Sequence, residues 1–231
     1  MKRVVTTILA TAAVLVGSSV SAQDKAEITA GADLVSSYVW RGVYQTGISI
    51  QPELGIAYKG LSFGAWGSTD VRDFKEFDLS LGYETAGFSI GVTDYWWDGQ
   101  GAKYGDYKDG HHFEGTVGYT FGEKFPLSVS WSTMFAGGDK DKDGDRAYST
   151  YIEISYPFSF KSVDFEVAVG AAPWESITYL PTDNKGFQVC NIALTASREI
   201  PITDRYALPV FVGFSLNPAM NDVNLVFGVS F

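Results

Sequence analysis

The chain has 231 residues, 45% apolar and 15% aromatic, with 25 glycines, one cysteine and a formal net charge of −10. The apolar fraction excludes global disorder, the single cysteine excludes a disulfide framework or multi-cysteine metal site, and the acidic balance excludes nucleic acid as a partner, which needs a Lys/Arg footprint. Mean hydropathy is +0.01, yet beyond the N-terminus no segment is apolar for the ~20 residues a spanning helix needs.

In chain order, Met1-Lys2-Arg3 is basic, Val4 to Val16 is apolar except for threonines, and Val20-Ser21-Ala22 offers small residues for cleavage. This pattern predicts a secretory signal peptide over 1–22. Without Lys2 and Arg3, 15 basic residues face 27 acidic ones, a net charge of −12. From Glu27 onward the hydropathy period is two, the period of strands. At the C-terminus Val223, Leu225, Phe227, Val229 and Phe231 share one face; earlier, so do Leu208, Val210, Val212, Phe214 and Leu216. The alternation predicts about twelve strands at 28–42, 48–58, 60–69, 75–85, 87–97, 111–121, 126–136, 147–157, 162–172, 186–197, 207–216 and 223–231, with residues 23–231 as one domain.

The connections alternate in kind. Lys59-Gly60 and Thr85-Ala86-Gly87 are tight, 122–125 and 158–161 are short, and 198–206 is somewhat longer. Between them lie 98–110, 137–146 and 173–185, long and rich in Gly, Asp and Lys. Long loops at one end, short turns at the other and an even strand count are the signature of a transmembrane, antiparallel up-and-down β-barrel of the bacterial outer membrane. Lipid demands closed backbone hydrogen bonding, so a sheet that spans it must close on itself. Aromatics near strand ends, such as Trp40, Tyr58, Tyr83, Trp97, Tyr119 and Tyr156, fit girdles at the lipid–water boundary. A soluble β-sandwich would bury the same apolar face but has no reason for the strict loop asymmetry. The expected partners are outer-membrane lipid, small solutes and the barrel-assembly machinery, whose signal a terminal Phe231 resembles.

With apolar side chains outward, the inward positions include Asp33, Arg41, Gln51, Glu53, Glu76, Asp78, Glu114, Glu153, Asp164 and Glu166. Carboxylates lining a pore favour cations. The structural alternative is that Arg41 pairs with facing carboxylates and fills a narrow barrel, since twelve strands lie between the filled eight and the open sixteen. Asp94 falls on the lipid face, which requires a bulge near the rim or a different register.

Other motifs carry less. Gly87-Phe88-Ser89-Ile90-Gly91 matches G-x-S-x-G but opens an alternating strand instead of a strand–turn–helix elbow. His111 and His112 read as a solvated pair ending a polar loop; a lipid hydrolase would need a serine within reach of His112, and neighbours on a strand point to opposite faces. Asp139-Lys140-Asp141-Lys142-Asp143-Gly144-Asp145 matches the first half of a calcium loop, with Asp139, Asp141, Asp143 and Asp145 as ligands, but Thr150 stands where the bidentate Glu belongs. Weak calcium there is the one cofactor expectation. Cys190 reads as a small apolar filler.

Ser36-Ser37-Tyr38-Val39-Trp40-Arg41-Gly42-Val43-Tyr44-Gln45-Thr46 fits S-x-Y-x-x-R-G-x-x-Q-T, with motif positions Ser36, Tyr38, Arg41, Gly42, Gln45 and Thr46. It resembles the opening of the TorF-type porin family, and the likeness continues through Gly64–Ser68, Glu76–Asp78, Gly82-Tyr83 and Gly91–Tyr95. The resemblance implies an outer-membrane barrel and a channel, with no assigned substrate. The expected function is a narrow passive channel for small solutes with a slight cation preference. The alternative is a closed structural or surface-binding barrel that works through its outer loops. No enzymatic activity is expected.

Overall fold

The computed structural model describes residues 25–97, 103–180 and 186–231; the expected signal peptide, 1–22, lies outside the described residues. The described chain folds into strands β1 (Glu27–Val35), β2 (Tyr38–Trp40), β3 (Val43–Thr46), β4 (Ser49–Tyr58), β5 (Leu61–Asp70), β6 (Lys75–Thr85), β7 (Phe88–Trp97), β8 (His111–Thr120), β9 (Ser128–Gly137), β10 (Thr150–Phe160), β11 (Val163–Ala172), β12 (Gln188–Thr203), β13 (Tyr206–Asn217) and β14 (Asp222–Ser230). β1 and β4 to β14 form a closed barrel of twelve antiparallel strands in the order β1-β14-β13-β12-β11-β10-β9-β8-β7-β6-β5-β4, while β2 and β3 pair only with each other.

Turn chemistry sets the up-and-down order. Lys59-Gly60 and Ala86-Gly87 have positive φ at both residues (49 and 86°, 50 and 83°), the geometry of two-residue hairpins whose twist matches the flanking strands. Closure occurs at β1 and β14, where Asp33, Leu34 and Val35 pair with Ser230, Val229 and Gly228. The last residue extends the seam, with Phe231 N donating to Ala32 O at 3.0 Å. Apolar side chains point out and stand exposed, as at Leu54 (58%), Leu81 (54%) and Leu225 (71%). The wall is therefore inside-out relative to a soluble barrel, with Gln51, Asp78, Glu114 and Ser132 buried on its inner side.

Three expectations change. The strand expected at 28–42 ends at Val35; Tyr38–Thr46 leaves the wall as a separate hairpin, and β1 pairs directly with β4 from Glu27↔Ala57 to Val35↔Ser49. β10 runs on through the expected turn to Phe160, because Lys161 adopts φ 58° and closes a tighter hairpin. β12 absorbs most of the expected 198–206 connection and reaches Thr203, with a register shift between Pro201 and Thr203. Pro201 is tolerated at that irregularity. The connections after β7, β9 and β11 leave from the same barrel end as the 36–48 excursion, so the expected loop asymmetry holds.

Candidate functional site

The hairpin β2–β3 folds into the lumen. It turns at Arg41-Gly42, where both φ values are positive (50 and 82°), and Trp40 pairs with Val43 across that turn. Its stem is fixed at the rim. Ser36 N donates to Phe227 O at 2.8 Å and Ser36 Oγ accepts from Phe227 N at 2.9 Å. Thr46 Oγ1 donates to Asp70 Oδ2 at 2.5 Å, and Asp70 Oδ1 in turn caps the amides of Arg72 and Phe74. Gln45 donates to the nearby Val43 carbonyl. Nine residues separate Ser36 from Thr46, and between these anchors the chain crosses the barrel.

It reaches the opposite wall. From β1 through β14, β13, β12 and β11 to β10 is five steps, and from β4 through β5 to β9 is also five. Arg41 arrives between these strands. Its Nη1 donates to Glu114 Oε2 (2.5 Å) on β8 and Nη2 to Glu114 Oε1 (2.9 Å), a bidentate pair with 6% and 1% side-chain exposure. Nη1 also donates to Tyr179 Oη (2.5 Å), and Nη2 to Ser132 Oγ (3.3 Å) on β9. The guanidinium carbon lies 4.6 Å from the Tyr151 ring centroid, 4.7 Å from Trp40 and 5.4 Å from Tyr179. A planar cation between aromatic faces with a two-oxygen acceptor at its edge satisfies both the ring quadrupoles and the fork geometry of arginine.

The cage walls are themselves held. Glu114 also accepts from Tyr95 Oη (3.1 Å), Tyr179 Oη (3.0 Å) and Thr116 Oγ1 (3.3 Å). Tyr151 Oη donates to Glu153 (2.6 Å) and accepts from Asn191, which accepts from Ser215. Tyr179 sits in the β11–β12 connection on a turn formed where the Thr178 and Tyr179 amides donate to Ser176 Oγ. Burial pushes its hydroxyl well above the ordinary phenol value, so it stays protonated, accepting from Arg41 and donating to Glu114. Gly170 makes room for Tyr151, since a Cβ there would overlap the phenol; a Cβ on Gly42 would overlap the Cys190 carbonyl.

A second acidic group lines the hairpin's other flank. Tyr38 Oη donates to Glu76 Oε1 (3.2 Å), and Tyr38 packs against Trp66 and Phe74 with ring centroids 5.5 and 6.2 Å away. Asp78, buried at 4% exposure, keeps Oδ1 without a hydrogen-bond partner. Trp40 packs on Tyr95 and Tyr179, both at 5.4 Å.

Of the expected lumen residues, Arg41, Glu114 and, through Tyr151, Glu153 thus come together, and Glu76 and Asp78 line the adjoining flank. Glu53 does not join them: it lies beside Gly31 and is exposed to the lumen. The motif Ser36, Tyr38, Arg41, Gly42, Gln45 and Thr46 is the lumenal hairpin with its anchors. Tyr151, Tyr179, Ser132 and Asn191 were not singled out from sequence. Tyr151 carried a signal, an aromatic on the face opposite Ile152 and Ile154; Tyr179, in a loop, carried none.

The remaining motifs resolve differently. The histidines are not solvated. His111 is fully buried on the outer side, with Nδ1 2.7 Å from Asp94 Oδ1 and Nε2 2.6 Å from the Tyr104 carbonyl, stacked on Tyr107 at 4.0 Å. The β7 register is unbroken, so Asp94 does face out, with His111 and the 103–110 segment as its surroundings. His112 stacks on Trp97 on the inner face at 4.7 Å. In the acidic loop Asp139 is buried and accepts from the Ser149 amide, while Asp141 caps the amides of Asp143 and Asp145. Among the described residues no three His, Cys, Asp or Glu side chains are grouped to hold a metal ion. Ser89 follows the Gly87 turn within β7, where no helix supports an elbow. Cys190 is buried in β12 as expected.

A family described as bacterial protein of unknown function (Gcw_chp) matches residues 19–203. The chain belongs to this family. No curated protein matches it significantly. The Gcw_chp match contains the whole hairpin and all the cage residues, Glu114, Ser132, Tyr151 and Tyr179.

Proposed function

We propose that the protein is exported by its first 22 residues and inserts in the outer membrane as a narrow passive channel, a TorF-type porin for small solutes with a preference for cations, closed at rest by the 36–46 hairpin. The observation that carries this reading is the pairing of an apolar, exposed outer wall with an acid-lined lumen across which a separate hairpin packs. The outer face suits hydrocarbon and the inner face suits water and cations. The obstruction belongs to a segment outside the wall's hydrogen-bond ladder, so it can move without opening the barrel.

The same hairpin favours a second reading, a permanently closed barrel acting through its outer loops. Reconstitution into planar bilayers separates the two. Wild-type protein is expected to give small, infrequent, cation-selective steps, and Arg41→Ala larger and more frequent ones. Folded Arg41→Ala protein that leaves the bilayer sealed sinks the channel. Heat-modifiable gel migration and recovery with the outer-membrane fraction test the architecture.

A further inference from the structure

We propose that the wall around Arg41 is a binding site for guanidinium-bearing solutes, which Arg41 occupies in cis as a tethered stand-in for the ligand. Apart from its neighbour Trp40, every group among the described residues that bonds or stacks on the guanidinium comes from outside the hairpin: Glu114 on β8, Ser132 on β9, Tyr151 on β10 and Tyr179 on the β11–β12 connection. Four separate elements thus converge on one planar cation carried by a fifth.

The contacts fit the terminal half of a guanidino group. Nη1 and Nη2 carry four N–H donors, and the wall offers four acceptor contacts to them. The fifth donor, Arg41 Nε, is buried without a partner. The site therefore recognises what any guanidinium shares and leaves unread the atom through which the rest of the molecule is attached. The hairpin also docks imperfectly. Arg41 Nε and Trp40 Nε1 are both buried and unbonded, and buried donors left unmade weaken an association. A free cation with the same planar head competes for Glu114 and the Tyr151 and Tyr179 faces without bringing those two donors. The unpartnered Asp78 Oδ1 leaves an open acceptor beside the hairpin.

That such a solute then passes through the barrel rests on the channel reading; its binding does not. The test is a calorimetric titration of methylguanidinium into detergent-folded Arg41→Ala protein, with urea as the neutral planar control. The expected result is saturable binding at least ten-fold tighter than to Arg41→Ala/Glu114→Gln, with no heat from urea. Equal affinity in the two folded variants overturns the proposal. Hydrogen exchange on the wild type decides the matter if Arg41→Ala does not fold. Millimolar methylguanidinium is expected to speed amide exchange across 38–46 while equal urea or sodium chloride does not, and no acceleration, or equal acceleration by all three, overturns it. A barrel that binds methylguanidinium but carries no current keeps this inference and defeats the channel; current without binding does the reverse.

Discussion

Among the described residues the same turn occurs twice with a cation followed by glycine. At Arg41-Gly42 φ is 50 and 82°, and at Lys59-Gly60 it is 49 and 86°. The φ angles agree within 4° and the first residue of each turn carries a positive charge. Yet Lys59 is exposed, its ammonium 5.2 Å from the Tyr58 ring, while Arg41 is buried across the lumen against Glu114. Turn geometry is therefore indifferent to function; what differs is whether a prepared acceptor faces the side chain. Arginine suits the inner turn because its fork reads two carboxylate oxygens at once, and lysine's flexible point charge suits solvent.

Removing the charge at each turn should separate them most. Arg41→Ala leaves Glu114 buried and unpaired, and the expected loss of stability is about 3–5 kcal/mol, read from urea unfolding in detergent by tryptophan fluorescence. A loss below 1 kcal/mol would mean that the pair does not hold the hairpin.

A methyl on each turn glycine comes next. Gly42→Ala and Gly60→Ala both force alanine into left-handed backbone, at a cost of about 1–2 kcal/mol, and both press a Cβ against a carbonyl, of Cys190 and Glu84 respectively. Equal losses of stability are expected, but only Gly42→Ala should undock the hairpin and raise proteolysis within 38–46. Raised cleavage there in Gly60→Ala as well would erase the distinction.

How much of this contrast the sequence contained depends on where each residue lies. The wall was legible because its outer face alternates without interruption, as in Leu225, Phe227 and Val229. The hairpin was not, because Ser36-Ser37 is no breaker and Tyr38, Val39 and Trp40 continue a strand-like pattern, so Arg41 was assigned inward as a wall residue. It does point inward, carried there by a different segment. Arg198 to Thr203 looked like loop because these strand residues are polar or exposed beyond the apolar part of the wall. Tyr179 enters the cage only through tertiary folding of a connection, which local pattern does not encode.

Smaller effects concern charges in the open. The Lys140 ammonium bonded to Asp109 holds that carboxyl below its ordinary 3.8. A carboxyl depressed in the folded state stabilises above its unfolded pKa and loses that contribution as pH falls through the folded value. The clamp between the 98–110 and 138–149 connections should thus persist at pH 5 and release below pH 3.8, seen as faster hydrogen exchange in both, a change absent in Asp109→Asn. Exchange that rises only in the alkaline range would contradict the pairing. Least of all, Lys59→Ala should change stability by no more than about 0.5 kcal/mol; a larger loss would make the outer turn as dependent on its cation as the inner one.

Val35 and Ser49 are direct cross-strand partners, and Ser36 is already bonded to β14. Excision of residues 37–47 would therefore leave Ser36-Ile48 as a two-residue bridge with every wall pair intact. Hairpin and wall are separable in the gene: one can be lengthened, changed in charge or discarded by mutation within a single short stretch, while the other keeps its register. A scaffold wired in this way can change the contents of its lumen without relearning how to fold.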